Sequence, residues 1–258
     1  MNTIINLATL LCYLLSSILY IIMNSKSKKK LFGKLATYTA IIGWLLHTVV
    51  LVFRTIEAKH PPFANIYEAL IFFSWAIVLC YLVFEYRYKL KTPGAFVLPI
   101  ALLTLASARL LPSGYKVAKP LLPALQSNWL IFHVVSAFLA YACFTISFAT
   151  AIIYLIRNRE IFDEISYKAA GIGFLLLTLG IVTGAFWGHI AWGRYWGWDP
   201  KETWSLITWL IYAAYLHARF TAGFSGRKAA YVSIAGFLAM LFTFIGVTWL
   251  MPGLHAYK

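Results

Sequence analysis

The sequence predicts an all-α, polytopic membrane bundle, and three observations lead there. Of 258 residues, 62% are hydrophobic and only 12% charged, and the mean hydropathy is +0.77. Soluble domains run near ~45–50% apolar and ~25% charged. Apolar stretches of roughly 17–25 residues recur eight times, each long enough to cross a ~30 Å hydrocarbon core. The basic residues sit between these stretches, where topology signals belong. An ordinary cytosolic enzyme, a secreted disulfide scaffold and a disordered chain are excluded by the same figures.

The spans are expected near 3–23, 36–54, 64–86, 94–111, 129–156, 168–188, 203–220 and 229–250. The first lacks a basic n-region and a small-residue cleavage site, and its lysines follow it. It is therefore expected to be a retained helix and not a signal peptide. The whole chain, 1–258, is expected to form a single integral membrane domain. With the N-terminus outside, the inner loops hold 14 of the 22 lysines and arginines and the outer segments 8. The positive-inside rule thus places both termini and the segments 55–63, 112–128, 188–202 and 251–258 on the outer side. A net charge of +14 distributed this way marks topology in a lipid bilayer, with no nucleic-acid partner. The three cysteines, Cys12, Cys80 and Cys143, are isolated within apolar runs, so neither a zinc knuckle nor a dithiol motif exists.

Between the sixth and seventh spans the chain reads WGHIAWGRYWGWDPKETWSLITW (187–209), which carries six of the ten tryptophans. An interfacial belt accounts for one or two tryptophans at a membrane end. Six within one outer loop of about 187–204 and its flank, spaced by glycines, suggest a platform for a large planar ligand. Indoles give rigid apolar faces and glycine permits close backbone approach. Trp192, Trp196, Trp198 and Trp204 lie in this run, with Asp199 among them. Asp199-Pro200-Lys201-Glu202 also reads as a capping box opening the seventh helix.

Histidines supply the second constellation. His133 lies about one turn into the fifth span, which starts at the outer face. His255 follows Pro252-Gly253, a stop signal past the eighth. Two imidazoles flanking an aromatic platform are what a six-coordinate haem iron requires. His47 and His217 fall within apolar spans, where an ionisable group is costly and marks function by default. His60 and His189 read as ordinary solvated loop histidines.

Five segments in order carry a family resemblance: RTIEAKHPPFANIYEALIFFSW (54–75), LPALQSNWLIFHV (122–134), WGRYWGWDPKETW (192–204), YLHAR (215–219) and GLHAY (253–257). They resemble the CcsA (ResC-like) cytochrome c biogenesis proteins of the System II pathway, whose tryptophan-rich signature is the WWD motif. The match covers most of the chain; His189, Thr248 and Lys258 depart from the usual residues.

The resemblance implies a haem-handling protein of a bacterial cytoplasmic or thylakoid-type membrane. It would present non-covalent haem b at the outer face to apocytochrome c, for thioether attachment to a CxxCH motif. It also implies a CcsB/ResB-like membrane subunit as partner, making the chain part of a holocytochrome c synthase complex. By motif position the resemblance makes His133 and His255 the iron ligands, Trp192, Trp196, Trp198 and Asp199, with Trp204, the haem platform, and His217 an intramembrane histidine of the family. The depths of His217 and His47 in their spans make both candidate stations on a haem route. The alternatives are CcmC-like delivery of haem to a chaperone and a b-type cytochrome electron-transfer anchor. A CcmC-like chain usually has six helices, and a cytochrome anchor pairs its ligands within bundle helices. A small-solute transporter would show broken midplane helices.

Overall fold

A computed structural model of the chain describes residues 2–25 and 29–253, with side chains from Ile4 onward. The described residues are helical without strands. The helices are α1 (Asn2–Ser25), α2 (Lys29–Ala58), α3 (Ile66–Tyr88), α4 (Gly94–Leu110), α5 (Asn128–Arg157), α6 (Glu160–Trp192), α7 (Pro200–Ala222), α8 (Gly226–Leu241) and the short α9 (Val247–Leu250). Each expected span coincides with a long helix. Six of them are long and apolar enough to cross a membrane, the last running from α8 through α9. The remaining two fall short for different reasons. α4 has only 17 residues, about 26 Å at ~1.5 Å per residue. α7 interleaves Ser205, Thr208, His217 and Arg219 with its apolar positions.

Local chemistry fixes the helix ends. Asn65 caps α3 by accepting from the Glu68 backbone N–H, and Ser127 caps α5 by accepting from that of Trp129. Asn158 and Gly193 end α5 and α6 in the left-handed region, their N–H groups returning to the Tyr154 and His189 carbonyls. A π-turn, Phe242–Gly246, separates α8 from α9. It directs the Thr243 hydroxyl to the Trp204 carbonyl, 3.1 Å away.

The helices fall into two compact units, residues 1–121 and 122–258. In the first, α1 packs along α2 and α4, and α3 along α4 and α2. Small hydroxyls join the helices: Ser16 donates to the Ala36 carbonyl and Ser74 to that of Ala101. Glu85, buried at the end of α3, accepts from Tyr20, Tyr81, Thr37 and Lys91. A carboxylate taken from water persists only when so satisfied.

At the opposite ends of α2 and α3, Arg54 and Glu68 form a buried ion pair at 2.8 Å. Arg54 also donates to the Lys116 carbonyl, and Glu68 accepts from the Ala64 N–H. His60 belongs to the same clamp. Its ring nitrogens lie 2.8 Å from the Pro61 carbonyl oxygen and 3.0 Å from that of Lys119. The solvated His60 expected from the sequence is instead 6% exposed, because it ties the loop after α4 to the loop after α2.

In the second unit α5 runs along α6, with α8 against α5 and α7 against α8 and α6. Glycines on α6 permit the close α5 contact. A Cβ at Gly180 would lie 3.3 Å from the Ala137 backbone nitrogen, and one at Gly173 only 2.6 Å from the Phe144 ring. Ser147, Ser166 and Ser233 share hydrogen bonds across α5, α6 and α8. Phe144 and Tyr212 stack face to face at 3.8 Å. Arg219 of α7 pairs with Asp163 of α6 at 2.7 Å and lies over Tyr167.

Candidate haem-binding site

His133 stands in the second turn of α5, facing α6. Its Nδ1 lies 2.7 Å from the Gly180 carbonyl oxygen, which can only accept, so Nδ1 donates to it. A carbonyl that fixes the ring through one nitrogen is the usual second partner of a metal-binding imidazole. The Trp187 ring stacks on the imidazole at 5.7 Å and 22°, and is itself anchored by Nε1 donating to the Ala124 carbonyl. Gly184 makes room for the arrangement: a Cβ there would lie 2.6 Å from His133 Nδ1.

Beside His133 opens a small cleft of about 90 Å³ whose mouth is open. Tyr141, Leu177, Ile181 and Ala185 supply its α5 and α6 walls, and Trp192, Tyr195, Trp196, Lys201, Glu202 and Ser205 close it from the tryptophan-rich side. The lining is mainly apolar, with His133, Lys201 and Glu202 as its ionisable groups besides the tyrosines.

The irregular part of the expected 187–204 loop is short, only 193–199, because α6 continues to Trp192 and α7 begins at Pro200. Asp199 caps α7 as expected, completing a capping box with Glu202. Glu202 Oε2 accepts from the Gly197 and Asp199 N–H groups at 2.8 and 3.1 Å. The turn containing Trp196 and Trp198 is thereby pinned to the first turn of α7. Burial pushes the Lys201 ammonium down to about 8, with the Asp199 carboxylate acting in the opposite sense.

The five platform residues have different surroundings. Trp192 and Trp196 line the cleft, Trp192 packing edge-on against Trp187 at 4.8 Å. Trp198 is 69% exposed, meets Trp196 edge-on, and holds a left-handed backbone, φ 56°. Trp204 packs on Phe242 at 4.3 Å and is not among the lining residues. Asp199 is buried. His189 stacks on Tyr195 at 4.3 Å and 5° on the exposed side of the turn.

Of the other predicted histidines, His255 lies outside the described residues. Gly253, two positions earlier, abuts the site: a Cβ there would be 2.6 Å from Asp199 Oδ2. His217 is exposed on α7, about 20 Å from Trp204 at ~1.5 Å per residue. His47 is 0% exposed between α1 and α2, with Tyr13 Oη 3.1 Å from Nδ1 and no hydrogen-bond partner for Nε2. Sequence reasoning did not pick out Trp187, Gly184, Tyr141, Lys201 or Glu202 as site residues. Trp187 was visible in the tryptophan count; the others depend on which α5 and α6 residues meet.

A haem fits this donor set. His133 is held through Nδ1 by the Gly180 carbonyl, the walls offer aromatic and aliphatic faces to a macrocycle, and Lys201 adds a cation. Among the described residues no three His, Cys, Asp or Glu side chains converge as a metal cage would need.

The family model for "Cytochrome C assembly protein" matches residues 63–255, which include the cleft and the cap. Relatives named "Cytochrome c biogenesis protein CcsA" include those of Guillardia theta, 38% identical over 85% of this chain and 84% of the relative, and Prochlorococcus marinus strain MIT 9215, 35% identical over 97% and 93%. That of Chlamydomonas reinhardtii is 40% identical over 83% of this chain and 65% of its own. The chain belongs to the cytochrome c assembly protein family.

Proposed function

We propose that the protein binds haem b non-covalently in the His133 cleft and presents it to apocytochrome c for thioether attachment. The observation that carries this is the built setting of His133: Nδ1 tied to the Gly180 carbonyl, ring stacked on Trp187, space supplied by Gly184. A histidine serving only to fill a helix interface needs no cleft of aromatic rings beside it.

In this reading His133 and His255 would hold the haem iron. Bound haem supplies the iron held by the imidazoles and the vinyl groups to which substrate thiols add. Trp192 and Trp196 orient the macrocycle and exclude water. The thiols come from the substrate's CxxCH motif, since none of the cysteines lines the cleft. The positive-inside count puts the cleft end on the periplasmic or lumenal side of a bacterial or thylakoid-type membrane, with the chain acting as one membrane domain. A CcsB/ResB-like subunit is the partner that completes the synthase.

His217, exposed on α7, is accessible to haem travelling along that helix. His47 would join such a route only with α1 displaced, because Tyr13 covers it. Haem per folded protein is therefore expected to fall in His217→Ala and to change less in His47→Ala.

The test is the visible spectrum of the protein purified with its partner from haem-replete cells. Haem extractable by acid–acetone is expected. His133→Ala should turn a low-spin spectrum high-spin or lose haem, and added imidazole should restore it partly. A colourless preparation would overturn the reading. Unchanged low-spin spectra in both His133→Ala and His255→Ala would transfer ligation to His189.

A further inference from the structure

We propose that the end of the first unit where α2 begins and α3 ends binds the anionic headgroups of membrane lipids. Five exposed cations gather there: Lys29, Lys30 and Lys34 on α2, Arg87 in the last turn of α3 and Lys89 just beyond it. Thr37 of α2 donates to Glu85 of α3 at 2.5 Å, which holds the two helix ends together. Glu85 is the one acid in the segments 24–40 and 82–93. It is buried and taken up by Lys91 and the hydroxyls of Tyr20, Tyr81 and Thr37. Among the described residues none of the five cations has a carboxylate partner.

A charge bias that only marks topology needs no such excess, as the second unit shows. Its segments 155–168 and 217–231 carry six basic residues against Glu160, Asp163 and Glu164. Two of these acids form ion pairs, Asp163 with Arg219 and Glu164 with Lys168. In the first unit, segments 24–40 and 82–93 hold eight basic residues against the single Glu85. The start of α2 also carries lysines where helix stability favours acids, whereas α6 opens with acids.

The neighbours of these cations identify the ligand. Lys30, Lys34 and Tyr38 follow one another on one face of α2 at i, i+4 spacing, and exposed Leu31, Leu35 and Ile42 flank them. Tyr86 is 77% exposed, with Lys89 Nζ 4.0 Å from its ring centre, an aromatic suited to headgroup depth. Such a surface fits a molecule with an anionic head and apolar tails. A soluble phosphate would leave its apolar part uncovered. Clusters of about 4–8 Lys or Arg at the end of a membrane helix attract anionic lipids.

The test uses the full-length protein in nanodiscs of equal dioleoylphosphatidylglycerol and dioleoylphosphatidylcholine. After transfer to non-ionic detergent, the retained lipids are counted by native mass spectrometry. Phosphatidylglycerol is expected to be retained about fivefold over phosphatidylcholine, the effect of one basic residue near a charged lipid surface. Raising KCl from about 0.1 to 1 M should erase the preference, because the screening length falls from ~10 to ~3 Å. The triple variant Lys29→Gln, Lys30→Gln, Lys34→Gln should lose it, and Arg227→Gln with Lys228→Gln in the second unit should keep it.

A wild type without preference overturns the proposal. So does a preference that survives the triple variant. An equal fall in the second-unit control would make the preference an effect of net charge and overturn it too. Should the triple variant not insert, Arg87→Gln with Lys89→Gln carries the same expectation, and an unchanged preference there is equally fatal. Excess glycerophosphoglycerol, the headgroup without its tails, should leave lipid retention unchanged; displacement by it would assign the patch to a soluble anion and sink the lipid site.

Discussion

Two polar constellations in this chain use similar residue types to opposite ends. In residues 54–119, Arg54, Glu68 and His60 are buried, and the bonds that hold them come from the chain itself: ion pair, capped helix and carbonyls of the following loop. In residues 133–205, His133, Lys201, Trp192 and Trp196 border a cleft, and backbone groups and glycines position them without filling it. The first arrangement is closed and so reads as architecture. The second is supported from behind and open in front, as expected of a ligand site.

The largest effect expected tests the closed constellation. Glu68→Ala leaves the buried Arg54 guanidinium with only the largely exposed Glu57 carboxylate, 3.8 Å away, as counter-charge; breaking comparable buried pairs costs about 3–5 kcal/mol. The melting temperature in detergent or nanodiscs should drop sharply. Haem per folded protein should stay near the wild-type value in whatever survives. Normal stability with lost haem would move the clamp into the functional machinery and break the comparison.

A smaller effect sharpens the open constellation. Gly184→Ala places a methyl carbon against His133 Nδ1. Overpacking of this kind costs about 1–3 kcal/mol. The imidazole should tilt off its bond to the Gly180 carbonyl, broadening or shifting the low-spin haem spectrum before much stability is lost. An unchanged spectrum would mean that the ring position does not govern ligation.

Much of this was readable from sequence, and the exceptions have physical causes. Apolar runs located every long helix, but α6 begins at Glu160 where 168 was expected. Its charged first turns continue the helix beyond the apolar run that hydropathy detects. The cap at Asp199 was readable because a capping box is local. The burial of His60 was not, since its partner carbonyl on Lys119 lies 59 positions away. For the same reason the cleft residues Tyr141 and Gly184 carried no sequence signal, since both depend on the register of α5 against α6. Trp204 offers its backbone carbonyl to Thr243 and packs its ring on Phe242, contacts between α7 and the π-turn that its position in the sequence does not announce.

Asp199 stands at the boundary between architecture and site, and two substitutions divide its roles. Asp199→Ala removes the cap from α7 and should cost about 0.5–2 kcal/mol. Asp199→Asn keeps a capping oxygen while deleting the charge, so its melting temperature should stay close to the wild type. If haem occupancy follows the melting temperature through both variants, Asp199 serves the site only by fixing the helix start. A fall in occupancy in Asp199→Asn alone would show that its charge acts on the ligand or on Lys201.

The smallest effect in energy separates the two constellations most cleanly, because stability and function should move in opposite directions. Trp198 holds φ 56° with most of its ring exposed, a backbone region that costs a non-glycine residue of order 1 kcal/mol. Among the described residues its ring contact is an edge-on meeting with Trp196. Trp198→Gly should therefore leave the melting temperature unchanged or raise it slightly, since glycine adopts this conformation without strain. Thioether attachment to a co-expressed apocytochrome c should nevertheless decline, because the outer edge of the platform is gone. Trp198→Ala, which retains the strained backbone and loses the ring, should show the same functional loss with no gain in stability. If Trp198→Gly instead unfolds the α6–α7 turn, the ring is a structural wedge and belongs with the clamp. If it leaves attachment untouched, the platform ends at Trp196.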